Sequence, residues 1–343
     1  MRVAVLKAPR QIDVVARPMP VAGAGEVVIR VAATALCHTD LEIYTGNHPG
    51  VRYPVVLGHE STGTVAALGP GVTGLAPGQR ILINPIIACG HCDSCARGAE
   101  NLCRNAGLFG RECDGSLSGY VCLPARYAHP LPHHVPLDVA TIIETLAAVL
   151  HSQERAGIGA GDSVVVLGQG AAGLLHTRLA RLAGADPVIA VSRSHWKLEL
   201  AGRMGAHHAI DGSAQDAVPE VLRLTADLGV DVVVDAAGGP TILPAAIAML
   251  RPGGRFAAFS VSQQPIPEFR TFPLYFKELT LVGSRALLPG DMTKAIALFA
   301  SGAVDAHEFI TERFPLERTA IAFQEYEHNP GRVLRLVITS DLA

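Results

Sequence analysis

The sequence predicts an α/β protein with a doubly wound parallel sheet and a second, β-rich region. Three observations carry this. Strands alternate with helices from about residue 148, a Gly-rich turn joins the first of those strands to the first helix, and the residues before them are short apolar strands cut by Gly and Pro. Alternation of strand and helix gives parallel strands linked by crossover helices. The 343 residues exceed what one core organises, so about two domains are expected.

Residues 1–147 make the first region, with VAVL, EVVIRVAATA, TGTVAALG and QRILINP as its strands. Residues 148–286 make the second. DSVVVLGQG has no polar alternation, as suits a parallel strand buried on both faces. AAGLLHTRLARLAGA follows with helical spacing, then PVIAVSR (strand), HWKLELAGRMGA (helix), VDVVVDAAG (strand), PTILPAAIAMLRPGG (helix), RFAAFSV (strand) and LTLVGSRA (strand). Residues 287–343 add an amphipathic helix, DMTKAIALFASGAV, and a closing strand, VLRLVITS.

Composition excludes several function classes. Hydrophobic residues at 49% against 17% charged describe a chain with a large core rather than a disordered one. A net charge of -3 without a basic block argues against nucleic acid as a partner. Apolar runs stop well short of the ~20 residues a membrane helix needs. The start, MRVAVLKAPR, lacks a signal-peptide core, so the cytoplasm is the expected compartment. Seven cysteines there read first as metal ligands or reactive thiols.

Four of them, Cys89, Cys92, Cys95 and Cys103, follow C-x2-C-x2-C-x7-C. Structural zinc takes four soft ligands in a closed tetrahedron, and one loop with this spacing supplies them. An iron–sulfur cluster is the rival. The bacterial ferredoxin run ends on a three-residue gap and Pro, whereas Arg104 follows Cys103 here, so zinc is preferred. Cys113 and Cys122 are expected to be ordinary small buried residues.

Gly168, Gly170 and Gly173 form G-Q-G-A-A-G between a strand and a helix, the context that gives this motif its dinucleotide-binding meaning. The glycines permit a tight turn, close approach of a pyrophosphate and close helix–strand packing. About 20 positions on, an acidic residue would hold the adenosine ribose of NAD. Ser192 and Arg193 stand there instead, with Lys197 one turn further. A hydroxyl and cations suit a 2′-phosphate, so NADP(H) is the preferred cofactor and NAD(H) the alternative.

Cys37 in ALCHTD, with His59 and Glu60 in VLGHES, offers a thiolate, an imidazole and a carboxylate, a set that holds zinc with one position left for water or substrate. With these motifs in hand, the sequence resembles the zinc-containing medium-chain alcohol and polyol dehydrogenases. C-H-T-D, G-H-E, the four-cysteine lobe, IIETLAAVLH, GQGAAG and RVLRLVI stand in the family's order over essentially the whole chain.

The resemblance implies a GroES-like catalytic domain, a partly open β-barrel completed by the chain after residue 287, beside a Rossmann domain. It implies two zinc ions per chain. Cys37 and His59 match catalytic zinc ligands, Glu60 the adjacent carboxylate that ligates or sits close by, and Glu144 the third ligand of the polyol branch. That branch usually has Pro after this Glu, where this chain has Thr145. Thr39 matches the hydroxyl that passes on the substrate proton, Asp40 a carboxylate that orients the His ligand, and Arg335 a cation near the cofactor pyrophosphate. Many relatives place a proton-relay His where this chain has Glu42, and a carboxylate there implies a shifted pH profile. His38 and His48 are alternatives for the relay, although packing or exposure explains each of them, and His151, as well.

The implied chemistry is reversible hydride transfer between an alcohol (secondary alcohol, polyol, sugar or amino alcohol) and the nicotinamide, in a cleft between domains. A zinc-free enoyl or quinone reductase, or a catalytically silent cofactor binder, are the alternatives. A homodimer or homotetramer is expected, with LTLVGS as a meeting place for subunits.

Overall fold

The computed structural model describes residues 1–340 apart from 263 and 268. The chain divides into two units, Met1–Ala147 with Leu288–Ala343, and Ala148–Leu287.

The second unit is a six-stranded parallel sheet. Its spatial order is His208–Asp211, Val188–Ser192, Val164–Leu167, Val230–Asp235, Leu250–Ala258 and Thr280–Gly283. Numbered along the unit, that order is 3-2-1-4-5-6, the Rossmann arrangement, with its reversal point beside strand 1. The unbroken apolar run of the central strands has a direct cause. Val165, Leu167, Ile189, Val191 and Val233 pack in one core cluster, and Val164, Val166, Val188, Val232 and Val234 in another. Successive side chains point to opposite faces, and both faces are covered.

One element departs from its expected bounds. The helix over PTILPAAIAMLRPGG is Ile242–Met249, and the strand after it begins at Leu250. Pro252 disfavours helical geometry at Arg251, and Gly253 sits at φ +76°, so the helix cannot run on.

In the first unit, a seven-stranded sheet runs in the order Ala128–Pro130, Arg80–Ile83, Glu60–Leu68, Glu26–Ala35, Arg335–Thr339, Ile310–Pro315. Tyr120–Pro124 also pairs with Glu26–Ala35. The C-terminal strand enters antiparallel to Glu26–Ala35, with Val337 opposite Ala35, and Glu60 pairs with Ala35 on the other side. Register thus brings the starts of Glu60–Leu68 and Arg335–Thr339 to flank the end of Glu26–Ala35, just before Cys37. Among the described residues, no helix is long and apolar enough to cross a membrane.

Candidate active site and zinc lobe

The cysteine lobe has the dimensions of a zinc tetrahedron. Cys92 caps the short helix Asp93–Ala96 and Cys103 follows the turn Glu100–Leu102, which folds the chain back on itself. Four of the six sulfur separations are 3.4 Å for Cys89–Cys103, 3.5 Å for Cys92–Cys95, 3.8 Å for Cys92–Cys103 and 4.0 Å for Cys89–Cys95, and all lie within 4.8 Å. Four thiolates about 2.3 Å from one ion lie roughly 3.8 Å apart along tetrahedral edges. The sulfurs therefore already surround a zinc-sized centre. The His91 backbone amide draws the Cys89 thiol down to about 6, which favours the thiolate a metal needs. Cys113 and Cys122 lie apart from this group. Both are half-buried rather than buried, a correction to the sequence expectation, and burial pushes each thiol up to about 11.

The second cluster is built by one buried carboxylate. Asp40, fully shielded from solvent, accepts from the Cys37 amide at 2.9 Å and the Gly58 amide at 3.1 Å, and lies 3.3 Å from His59 Nδ1. It thus ties the start of the helix His38–Thr45 to the loop before the strand Glu60–Leu68. With Nδ1 turned to Asp40, Nε2 of His59 is left to face a metal. Burial pushes the His59 pKa down, but Asp40, with help from Cys37, raises it well above the ordinary value.

Ligand atoms of Cys37, His59 and Glu60 lie within 4.8 Å of one another. A thiol, an imidazole and a carboxylate at that spacing fit a zinc ion with an open position. Glu144 lies outside this trio, in the first turn of the helix Ile142–Ala156. Burial raises its pKa, His59 opposes that, and Asp40 adds to it. Glu60 is already partnered: Oε1 accepts from Thr145 Oγ1 at 3.0 Å and Oε2 pairs with Arg335 Nη2. Arg335 Nη2 also donates to Thr145 Oγ1 at 2.9 Å. Burial lowers the Arg335 pKa to about 10, against Cys37 and Asp40, so it stays cationic at neutral pH. The resemblance placed Arg335 near a pyrophosphate; the contacts it makes in this structure are with Glu60 and Thr145.

Thr39 is half-buried, two residues after Cys37. Glu42 lies three residues on, hence on the same helix face, with its carboxylate 3.5 Å from His38 Nε2. Tyr326, on the helix Thr319–His328, was not found by sequence reasoning. Burial raises its pKa, and Cys37 and Asp40 raise it further, which places the phenol within their electrostatic reach. A single Tyr in an amphipathic helix gives no signal of this.

In the second unit, Gly168 turns at φ +92° and Gly170 caps the helix Ala171–Leu182. A Cβ on Gly173 would lie 1.9 Å from the Gly168 carbonyl oxygen, whereas Gly170 has nothing within 4 Å on its side-chain face. The first demands glycine for packing, and the second leaves the open space a pyrophosphate needs over a helix N-terminus. Ser192 ends its strand and its Oγ accepts from the Ser194 amide at 3.2 Å; Arg193 beside it is exposed. Lys197 lies over the Trp196 ring at 5.2 Å, and burial lowers its pKa. Asp211, in register with Ser192 on the edge strand, is a nearby carboxylate that the spacing rule did not point to.

Comparison with known proteins agrees with this geometry. Residues 23–133 match the alcohol dehydrogenase GroES-like domain, and residues 171–301 the zinc-binding dehydrogenase domain. A sorbitol dehydrogenase of Bacillus subtilis (strain 168) is 31% identical over 343 residues, covering 98% of this chain and 97% of that protein. A structure described as a zinc-binding dehydrogenase from Sinorhizobium meliloti 1021, bound to NADP, is 33% identical with a TM-score of 0.92, covering 98% of each chain. An alcohol dehydrogenase from Escherichia coli CFT073, complexed with NADH, is 28% identical with a TM-score of 0.93, covering 99% of each. The chain belongs to the zinc-containing medium-chain alcohol and polyol dehydrogenase family. Its activity is the NAD(P)-dependent oxidation of an alcohol and the reverse reduction.

Proposed function

We propose that this enzyme oxidises a secondary alcohol of polyol type with NADP(H) as its preferred cofactor, at a zinc ion held by Cys37, His59 and Glu144. The observation that carries the ligand assignment is the difference between the two buried glutamates. Glu60 already has a cation, Arg335, whereas no Lys or Arg pairs with Glu144 among the described residues. An ionised carboxylate this buried needs a positive partner. The metal would supply it, and Glu144 already lies within electrostatic reach of His59.

When bound, zinc supplies Lewis acidity toward the substrate oxygen. Cys37, His59 and Glu144 would hold it, and Asp40 fixes the imidazole tautomer. Thr39 accepts the hydroxyl proton of the substrate while releasing its own, and Glu42, reached along the same helix face, exchanges that proton with water. A bound nicotinamide would supply the acceptor for the carbinol hydrogen and its electron pair. Gly168, Gly170 and Gly173 seat the pyrophosphate. Ser192, Arg193 and Lys197 are the residues that would meet a 2′-phosphate. The sorbitol dehydrogenase relative and Glu144 support the polyol class.

The enzyme is further proposed to work as a homo-oligomer that joins through the edge strand Thr280–Gly283. Metal analysis and turnover test the site together. The wild type should carry about two zinc ions per chain and oxidise polyols faster with NADP than with NAD. Cys37→Ser should keep one ion and lose at least ~100-fold in kcat. Full turnover in Cys37→Ser would sink the proposal.

A further inference from the structure

Thr145 occupies an unusual place. Its hydroxyl accepts from Arg335 Nη2 at 2.9 Å and donates to Glu60 Oε1 at 3.0 Å, closing a three-membered buried ring with the Arg335–Glu60 ion pair. Only 1% of Glu60, 4% of Arg335 and 9% of Thr145 is exposed. A Pro at this position, as the polyol branch usually has, offers no such bridge. We infer that Thr145 is a positioning residue that holds the Glu60 carboxylate to Arg335 and out of the catalytic metal's coordination, which leaves the substrate position open.

The inference rests on the proposed Cys37–His59–Glu144 site and deepens it. Glu60 reaches that site, because its oxygen belongs to the same cluster as the Cys37 sulfur and a His59 nitrogen. Something must therefore keep it from becoming a further ligand. Charge supplies part of the restraint: the Cys37 thiolate and Glu144 carboxylate already neutralise a dication, and Glu60 already neutralises Arg335. Moving Glu60 to the metal would strip a buried guanidinium whose Nε has no partner, and an unpaired buried charge is costly. Charge alone leaves Oε1 free to swing about Oε2. The Thr145 hydrogen bond takes that freedom away, because Oε1 and Oε2 are then both held at fixed points.

Protein carrying cobalt(II) at the catalytic site and zinc in the cysteine lobe reads coordination directly. Thr145→Val keeps the shape and removes the bridge; Thr145→Ala removes it and leaves room, in case the valine packs badly. Both should lower the intensity of the visible cobalt bands as a four-coordinate ion gains a ligand. Both should slow cobalt loss to a chromophoric chelator and lower kcat/KM by about 10- to 100-fold. Thr145→Ser, which restores the hydroxyl, should return all three to wild-type values. Unchanged bands and release in both variants overturn the inference, as does faster release, which would make Thr145 a support for ligation. A wild type that binds metal only in the cysteine lobe defeats the underlying site instead, a result visible before any variant is made.

Discussion

His176 shows how a single side chain sets a pH limit far from the chemistry. It lies fully buried in the second unit, its ring edge-on to Phe259 at 4.8 Å, with Gln153 Nε2 at 3.3 Å from Nδ1. Nε2 has no partner, and burial pulls its pKa down to about 3. The unfolded chain takes up this proton near 6.5, so between those values the unfolded state binds more protons. Stability therefore falls as pH drops below about 6.5 and levels off near 3; at pH 5 this one group costs about 2 kcal/mol. His176→Leu should flatten the decline of melting temperature between pH 7 and 5, measured by calorimetry. Parallel curves for the two proteins would place the acid sensitivity elsewhere. Little of this is visible in the sequence, where His176 is one of four polar residues in the helix Ala171–Leu182. The site residues divide in the same way. The four cysteines declare themselves because spacing alone carries their geometry. Cys37 and His59 are legible only as members of a family pattern. The partnership of Glu60, Thr145 and Arg335 is not legible, because the three come from segments far apart in the chain: Glu60 and Arg335 open the strands on either side of Glu26–Ala35, and Thr145 lies in the helix Ile142–Ala156.

At the scale of elements, the Gly-rich turn is where sequence and geometry agree most closely. Its strand, turn and helix are local, so their order in the chain already places them in space. Gly173→Ala would put a methyl 1.9 Å from the Gly168 carbonyl, a backbone atom that cannot yield without moving the turn. We expect this variant to lose about 1–3 kcal/mol of stability and to bind cofactor at least ~10-fold more weakly, since the same turn seats the pyrophosphate. Fluorescence titration with NADPH and thermal melting read the two effects; normal affinity would mean the turn relaxes around the methyl. Elements that hide from sequence do so for physical reasons. The strand His208–Asp211 and the helix Ala217–Leu224 were not foreseen. The strand lies at the sheet's edge with His208 and Ala209 exposed, so it lacks the apolar run that marks the central strands. The helix carries Pro219 in its first turn, which reads as a breaker unless the start is placed just before it.

At the scale of the whole molecule, one of the two outer edges of the second unit's sheet carries large exposed apolar side chains. Thr280–Gly283 is the last strand of the order, with a partner on one side only among the described residues. Leu281 on it is 43% exposed, and in the helix just before it Phe272, Tyr275 and Phe276 are 65%, 81% and 72% exposed. Large apolar side chains at an unpaired strand edge invite aggregation unless something covers them. The proposed second copy would do so economically. Two edge strands related by a twofold axis run antiparallel, so their free amides and carbonyls pair and six strands become twelve. A stable dimer needs about 1,200–2,000 Å² of buried surface, and four large side chains per copy give such an interface an apolar centre. Sedimentation should therefore show the wild type as a multiple of 35.9 kDa. Leu281→Lys combined with Phe276→Glu places two buried charges per copy at that centre, and should shift the protein to single chains while leaving its two zinc ions in place. A wild type that sediments at 35.9 kDa, or a double variant that stays assembled, would show that this edge is covered in some other way.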